Sequence, residues 1–283
     1  LKDEIRQFLI ESISVTGGHL ASNLGVVELT MALHLCFNLP KDKIVWDVGH
    51  QSYTHKILTG RKDGFSSLRQ YGGMSGFPKA DESDCDCFNT GHSSTSISAG
   101  LGLATARQVT GDDYHVVSVI GDGALTGGMA YEALNNASSV KGNFIIVLND
   151  NNMSISENVG GISQYLSGFR TADAYRDFKN NVMNSLNHIP IYGERMVKHI
   201  RNTKSSIKQL FIPGMFFEEM GITYYGPVNG HDLGELDAFL RVAKETEKPV
   251  LLHVVTEKGR GCDFCRDDSD GIWHGVGAFD AQS

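Results

Sequence analysis

Two apolar, β-branched segments of the sequence end abruptly in acidic and amide residues. The first ends in Gly121-Asp122-Gly123, and the second ends in Asn149-Asp150-Asn151. A buried parallel strand has this pattern where it delivers polar groups to the carboxyl edge of a sheet. We therefore expect Asp122 and Asn151 to lie side by side at that edge. Their oxygen atoms are the ligands that a small hard cation such as Mg²⁺ prefers.

The stretch between these segments, Thr126 to Ser139, is predicted to be a helix, so that the whole forms one β-α-β unit. The helix begins at Gly127-Gly128, where backbone amides can approach a phosphate group closely. The combination of a GDG turn, a helix and a second polar strand end is typical of a cation and diphosphate site. The simpler alternative is an ordinary β-α-β turn in which Asp122 caps a helix.

Further polar residues follow other predicted elements. His50 comes after a predicted strand, Lys43–Val48, and so lies at a carboxyl end, where open parallel sheets bind ligands. Gly91-His92-Ser93 precedes a predicted helix, Ser94–Val109, and its amides and hydroxyl could contact an anion there. An ordinary serine N-cap explains the same local pattern equally well.

The elements that must position these residues are those of an α/β fold, a parallel sheet with helices on both faces. Residues 1–40 are predicted to form two helices, and the predicted strands are Lys43–Val48, Asp84–Asn89, His115–Ile120, Asn143–Leu148 and Pro249–Thr256. We expect a single domain over residues 1–283, because no repeat or linker divides it. A looser helical excursion is expected at about 156–213, with helices near Tyr175–Leu186 and Glu194–Leu210, as a lid or subunit contact.

The composition is that of an ordinary globular domain. The 283 residues are 41% hydrophobic and 20% charged, and the net charge is −8. This charge argues against a nucleic-acid or anionic-membrane surface. No segment approaches the about 18 apolar residues of a membrane span, and the N-terminus has no signal-peptide pattern. We expect a cytoplasmic location, with no nucleic-acid partner and no membrane contact.

Five cysteines, an odd number, suggest free thiols. Cys36 lies in an apolar stretch and is expected in the core. The Cys85/Cys87 and Cys262/Cys265 pairs also allow a zinc site or a regulatory disulfide. The zinc alternative is weakened because Cys-x-Cys is poor spacing for a structural zinc site and no histidine completes either half at the usual interval.

Several segments together resemble the 1-deoxy-D-xylulose-5-phosphate synthase family, which is transketolase-like and uses thiamine diphosphate. They are Gly17-Gly18-His19, Asp47-Val48-Gly49-His50, Gly91-His92-Ser93-Ser94-Thr95-Ser96, Gly121-Asp122-Gly123 and Asn149-Asp150-Asn151-Asn152-Met153. The resemblance covers the chain from Leu1 to about Asp280. It implies the thiamine-diphosphate-binding fold and an enzyme that joins pyruvate to D-glyceraldehyde 3-phosphate with loss of CO₂.

The resemblance also implies roles for individual residues. It assigns Mg²⁺ to the Asp122 and Asn151 side chains and the Met153 backbone carbonyl, and it places the histidines His19 and His274 at the reacting carbon. Cofactor contacts are implied for His50, Gly91, His92, Ser93, Gly123, Ala124, Asn151 and Cys262. Cys262 departs from the family, which usually has an aromatic residue there, so that only its backbone is expected to approach the cofactor. Lys258 is expected either near the diphosphate or in a solvated loop.

Members of this family have much longer chains, with a pyrimidine-binding domain and a C-terminal domain that this sequence lacks. The resemblance therefore implies half of an active site, inactive without those domains, and a homodimer. Two alternatives remain at this point. One is the N-terminal subunit of a split transketolase, and the other is a non-catalytic module that binds Mg²⁺-diphosphate.

Overall fold

A computed structural model describes residues 1–153, 158–171, 215–266 and 271–281. Its centre is a five-stranded sheet in which every pairing is parallel. The strand order is β1-β2-β3-β5-β4. The strands are β1 Lys43–Trp46, β2 Val116–Gly121, β3 Phe144–Asp150, β4 Thr223–Asn229 and β5 Pro249–Val255.

Helices cover both faces of this sheet, which confirms the predicted α/β class. In chain order the described helices are α1 Lys2–Thr16, α2 Leu20–Leu24, α3 Val27–Cys36, α4 Tyr53–Lys56, α5 Ser96–Thr110, α6 Asp122–Leu125, α7 Gly128–Ala137, α8 Gly161–Thr171, α9 Met215–Glu219, α10 Leu233–Lys244 and α11 Asp263–Arg266.

Alternate residues of the central strands fill two separate cores. Val117 and Val119 of β2 belong to a cluster with residues of α3 and α10. Val116 and Ile120 of the same strand pack instead with residues of α5 and α7. Because side chains of a strand alternate between faces, a β2 covered on both sides must be apolar throughout. This explains the continuous β-branched runs in the sequence.

A third apolar cluster lies between the N-terminal helices and the segment after β5. It contains Leu9 of α1 and Leu24 of α2, both fully buried, together with Tyr53 and the two cysteines Cys262 and Cys265. This cluster anchors the Gly17–His19 turn, which leads from α1 into α2.

The prediction of a strand at Asp84–Asn89 is wrong. The structure has turns there, closed by a hydrogen bond from Asp86 N–H to the Ser83 carbonyl. The Asp86 carboxylate accepts hydrogen bonds from His55, Arg61 and the Lys79 amide. Side-chain contacts of this kind hold the backbone in a loop, and no sheet ladder is needed.

Other boundaries also differ from the predictions. Residues 1–40 form three helices, because the chain breaks at Gly25 between α2 and α3. The helix predicted from Thr126 begins at Gly128, after the separate one-turn helix α6. Sequence reasoning missed β4, which a glycine and a proline interrupt. It also missed α10, although Asp232 caps this helix by accepting from the Gly234 and Glu235 amides.

Two of the cysteines are not free thiols. Cys262 and Cys265 form a disulfide, so the expectation of free thiols is wrong for this pair, while Cys36, Cys85 and Cys87 are free. Cys36 is buried in the core, as predicted. Within the described segments, no group of three or more His, Cys, Asp or Glu side chains could hold a metal ion, so the zinc alternative has no support there.

Of the predicted excursion at about 156–213, the structure describes residues 158–171, which contain α8. The helices predicted near Tyr175–Leu186 and Glu194–Leu210 lie outside the described residues. Among the helices in the described part of the chain, none is long and apolar enough to cross a membrane.

Candidate functional site

The two polar strand ends meet at the carboxyl edge of the sheet. The register of β2 and β3 pairs Gly121 with Asn149, so that Asp122 follows directly beside Asp150. One carboxylate oxygen of Asp122 accepts the Asn152 amide at 2.7 Å. The other oxygen accepts the amide of Gly123 at 3.0 Å. The Asp122 carboxylate thus accepts hydrogen bonds both from its own GDG turn and from the loop after β3.

The loop after β3 turns sharply at Asn152, whose φ is 62°. Within it, Oδ1 of Asn151 accepts the Met153 amide at 2.9 Å. The carboxylate of Asp122, the amide oxygen of Asn151 and the carbonyl of Met153 therefore belong to one small region. These are hard oxygen donors of the kind that Mg²⁺ prefers.

The electrostatics of this region favour a cation. Asp122 is only 4% exposed. Burial, and after it a hydrogen bond and charge repulsion from Asp150, raise the pKa of Asp122 well above its ordinary value. A divalent cation at this position would favour the ionised carboxylate and relieve the repulsion. The donor set and the excess of acidic charge thus both fit Mg²⁺.

The segment before α5 contacts the turn after β2. The Ser94 hydroxyl donates to the Ala124 carbonyl at 2.7 Å. Gly127 lies so close to Ser94 that a Cβ on the glycine would be 2.2 Å from the serine oxygen. Gly91, His92 and Ser93 are exposed beside this contact. The structure therefore brings the predicted cofactor segment against the turn that contains Gly123 and Ala124.

The serine N-cap alternative is wrong, because Ser93 does not cap α5. The helix begins at Ser96 and its N-cap residue is Thr95, which makes no side-chain capping bond. Asp47, just after β1, caps it from a distance by accepting the amides of Ser94 at 2.7 Å and Ser96 at 2.9 Å. Sequence reasoning missed this role of Asp47, because Asp47 falls inside the predicted strand Lys43–Val48.

Three histidines from distant parts of the chain form one cluster. The ring centroids of His19 and His50 are 5.2 Å apart, those of His19 and His274 are 5.5 Å apart, and those of His50 and His274 are 5.1 Å apart. Asn23 links two of these segments, since its side-chain amide donates to the carbonyls of His19 and His50. Asn23 is fully buried and was not predicted.

Burial keeps the imidazoles of His19 and His50 neutral. It lowers the pKa of His19 to about 4, with help from the positive charges of Arg69 and His274. It lowers the pKa of His50 to about 3, with smaller contributions from His19, His274 and Lys258. Arg69 contacts Nδ1 of His19 at 3.3 Å and was also missed by sequence reasoning. Neutral imidazoles can donate or accept a proton at neutral pH.

One ring nitrogen in the cluster has no protein partner. Nδ1 of His50 is buried and, among the described residues, makes no hydrogen bond. A buried polar atom without a partner is costly, so this nitrogen is suited to a ligand group. Lys258 is also buried and its charge acts on His50, so that the expectation of a solvated loop lysine is wrong.

Cys262, for which a cofactor contact was predicted, has its side chain in an apolar cluster. Its side chain is 3% exposed, is bonded to Cys265 and packs in the third apolar cluster. Its amide donates to the Gly259 carbonyl in a turn. The side chain is therefore committed to the protein interior, and the approach of the Cys262 backbone to a ligand stays a prediction.

The fold of this chain is shared by solved structures of one class. The transketolase from Campylobacter jejuni matches 98% of this chain with a TM-score of 0.68 and 20% identity, and the chain covers 40% of it. A transketolase mutant from Pichia stipitis matches 99% with a TM-score of 0.70 and 19% identity, and the chain covers 38% of it. The fold is thus the α/β fold of transketolases.

The sequence comparisons identify the family within this class. Residues 1–256 match the family model described as 1-deoxy-D-xylulose-5-phosphate synthase. The synthase of Lachnoclostridium phytofermentans is 57% identical over 283 residues, and that of Caldanaerobacter subterraneus subsp. tengcongensis is 56% identical. The alignment covers all of this chain but 45% of each relative. The chain belongs to the 1-deoxy-D-xylulose-5-phosphate synthase family and spans a little under half the length of these relatives.

Proposed function

We propose that this chain is the diphosphate-binding domain of an enzyme that uses thiamine diphosphate and Mg²⁺ and condenses pyruvate with D-glyceraldehyde 3-phosphate. The products are 1-deoxy-D-xylulose 5-phosphate and CO₂, a starting point for isoprenoid, thiamine and pyridoxal synthesis. One observation carries the proposal. In a chain of this family, the buried Asp122 and the oxygen-rich segment 149–153 are joined at adjacent ends of parallel strands.

In this proposal the cation is held by the Asp122 carboxylate, the Asn151 amide oxygen and the Met153 carbonyl. Phosphate oxygens of the cofactor and water would supply the remaining oxygen ligands that Mg²⁺ prefers. The backbone at Gly123 and Ala124 and the exposed segment Gly91–Ser93 contact the diphosphate. Support for this assignment comes from the hydrogen bond between Ser94 and Ala124, which joins those two segments.

The histidine cluster acts at the reacting carbon. Thiamine diphosphate, when bound, supplies an electron sink for the charge that remains as CO₂ leaves pyruvate. His19 and His274 orient the substrate oxygens, and a neutral imidazole donates its N–H to a developing alkoxide or moves a proton. The low pKa of His19, about 4, keeps it neutral for this role. The free Nδ1 of His50 accepts a hydrogen bond from the cofactor or donates one to it.

The remaining partners of the site lie in other domains. We propose that residues 1–283 form one domain, which works with a pyrimidine-binding domain and a C-terminal domain in a homodimer in the cytoplasm. The 45% coverage of the relatives leaves room for both domains. This chain alone is therefore expected to be inactive.

The test uses the full-length protein and measures CO₂ release from pyruvate. Release should require D-glyceraldehyde 3-phosphate, and removal of Mg²⁺ and cofactor by chelation and gel filtration should abolish it reversibly. His274→Gln should lower kcat by about 100-fold, the usual scale for loss of a proton-transfer group. His115→Gln is the control, because His115 lies half-buried before β2, at the opposite edge of the sheet.

Two results would contradict the proposed function. One is full activity of the stripped protein without added cation and cofactor. The other is turnover of a ketose phosphate as donor while pyruvate gives none, which would indicate a transketolase activity.

A further inference from the structure

A chain of three buried side chains runs from the candidate cation site across the sheet. Nε2 of His253 lies 2.8 Å from Oδ2 of Asp150, and Nδ1 of the same ring lies 2.8 Å from the Tyr224 hydroxyl. Asp150 and His253 are 0% exposed, and Tyr224 is 5% exposed. We call these three residues the strand relay, because they lie on the neighbouring strands β3, β5 and β4.

One tautomer of His253 satisfies both hydrogen bonds. A neutral imidazole carries a single N–H and has one accepting nitrogen. With the proton on Nε2, His253 donates to the Asp150 carboxylate and accepts the Tyr224 O–H. Tyr224 thereby fixes the tautomer that Asp150 requires, as second-shell partners do for the histidines of metal sites.

The other carboxylate oxygen of Asp150 links the strand relay to the candidate cation site. Oδ1 accepts the Asn152 amide at 3.1 Å, and this same amide donates to Asp122 at 2.7 Å. Asn152 lies between the two proposed cation ligands Asn151 and Met153. The orientation of the Asp150 carboxylate therefore controls where the loop after β3 presents its oxygens.

We propose that His253 is a positioning residue for the divalent cation, acting through Asp150, with Tyr224 holding its ring. This inference rests on the proposed function, because it assumes that the Asp122 region binds the cation. Without the His253 donor, the buried Asp150 carboxylate loses one of its hydrogen bonds, and its orientation beside Asp122 is held less firmly. The loop then no longer holds Asn151 and Met153 in one arrangement, and cation affinity falls.

The molecule contains a matched control for this relay. His55 is also 0% exposed and lies 2.9 Å from a buried carboxylate, Asp86, through Nε2. Its Nδ1 lies 3.0 Å from Nε2 of His34. We call His34, His55 and Asp86 the loop relay. It has the same hydrogen-bond pattern as the strand relay but involves none of the proposed cation ligands.

Strand β4 supplies a second control. Tyr225 is the neighbour of Tyr224, is 8% exposed and faces the opposite core. Its hydroxyl lies 3.2 Å from that of Thr246. Tyr224→Phe and Tyr225→Phe thus each remove one buried hydroxyl from the same strand, and only the first change affects the relay.

The experiment measures binding of Mn²⁺, as a paramagnetic probe for the divalent site, to the full-length protein with thiamine diphosphate present. The signal of free Mn²⁺ in electron paramagnetic resonance gives Kd without any turnover. His253→Leu, which has no donor, should weaken binding by about 10- to 100-fold, the usual cost of losing a second-shell partner. Tyr224→Phe should have a smaller effect in the same direction. His55→Leu and Tyr225→Phe should leave the Kd within about twofold of that of the parent protein, although both lower the melting temperature.

The outcomes separate this inference from the proposed function. Equally tight Mn²⁺ binding by the parent protein, His253→Leu and Tyr224→Phe would overturn the role of His253 and leave the proposed function intact. So would equal weakening in His55→Leu, which would indicate general loss of structure. Absence of Mn²⁺ binding in the parent protein would refute the proposed function and the inference with it. If His253→Leu does not fold, the comparison of Tyr224→Phe with Tyr225→Phe decides the question.

Discussion

The strand relay and the loop relay have nearly the same geometry and opposite electrostatics. In each, a fully buried histidine contacts a buried carboxylate through Nε2, at 2.8 Å for His253 and 2.9 Å for His55. The carboxylate of the loop relay, Asp86, also binds Arg61 at 2.6 and 2.9 Å. The carboxylate of the strand relay, Asp150, instead faces a second buried acid, Asp122.

The pKa values follow from this difference. Burial acts to raise the pKa of Asp86, but hydrogen bonds from His55 and Arg61 outweigh it and hold the pKa below its ordinary value. Burial and Asp150 act together on Asp122 and raise its pKa. Acidic charge is thus balanced inside the loop relay and in excess at the end of the strand relay. The charge balance, and not the hydrogen-bond pattern, indicates which relay adjoins a cation site.

The largest expected effect is that of Asp122→Asn. The change removes a charged ligand and should weaken Mn²⁺ binding, and with it pyruvate turnover by the full-length protein, by about 1,000-fold, since a charge-bearing ligand contributes several kcal/mol. Stability without cation should stay the same or rise, because the repulsion with Asp150 is lost. Binding is measured by electron paramagnetic resonance and stability by urea unfolding. A marked loss of stability with unchanged affinity would place Asp122 among structural residues.

Asp86→Asn should lower stability and leave cation affinity nearly unchanged, which is the opposite of the effect expected for Asp122→Asn. It leaves the partly buried Arg61 with less compensating charge and should lower the free energy of unfolding by about 3 kcal/mol, as when one partner of a buried ion pair is removed. Cation affinity should remain within about twofold of that of the parent protein. The same two measurements apply. If the Asp86 variant lost affinity as strongly as the Asp122 variant, the two relays would not differ in function.

The smallest effect concerns pH and His34. Burial, and then the charge of His55, lower the pKa of His34 from 6.5 to about 4. Between these values the unfolded chain binds a proton that the folded protein does not bind, so stability falls as the pH falls through this range. His34→Gln should reduce that slope by up to about 1.4 kcal/mol per pH unit.

Urea unfolding at several pH values between 4 and 6.5 measures this slope. Glu28 does not interfere there, because its lowered pKa of about 2 places the loss of its contribution between pH 4.5 and 2. Identical slopes for His34→Gln and the parent protein would show that the imidazole of His34 does not stay neutral in the folded state.

The sequence predicted the central strands and the edge site well because both have local signals. Apolar β-branched runs locate β2 and β3, and parallel strands must bring their polar ends, Asp122 and Asn151, to one edge. The resemblance to one family then pointed to His19, His50 and His274, which the structure places in one cluster. Their distances along the chain alone give no indication of this.

The relays could not be predicted in the same way. Asp86 lies in a segment that was predicted to be a strand, and the tertiary contacts with His55 and Arg61 hold it in a loop. His253 interrupts an apolar strand. Its proposed positioning role depends on Asp150, which lies more than a hundred residues earlier in the sequence. Contacts between side chains this far apart leave no local pattern, so the sequence contains no signal for the role proposed for His253.

The contact between α5 and the sheet has a consequence for how this domain can change in evolution. A Cβ on Gly100 of α5 would lie 2.1 Å from the Ser118 hydroxyl and 2.8 Å from the Phe144 ring. The height of the helix above β2, and with it the position of Gly91–Ser93 at the site, is therefore set by a residue without a side chain. A larger residue at 100 is compatible with the same site only if Ser118 and Phe144 become smaller, so these three positions must vary together.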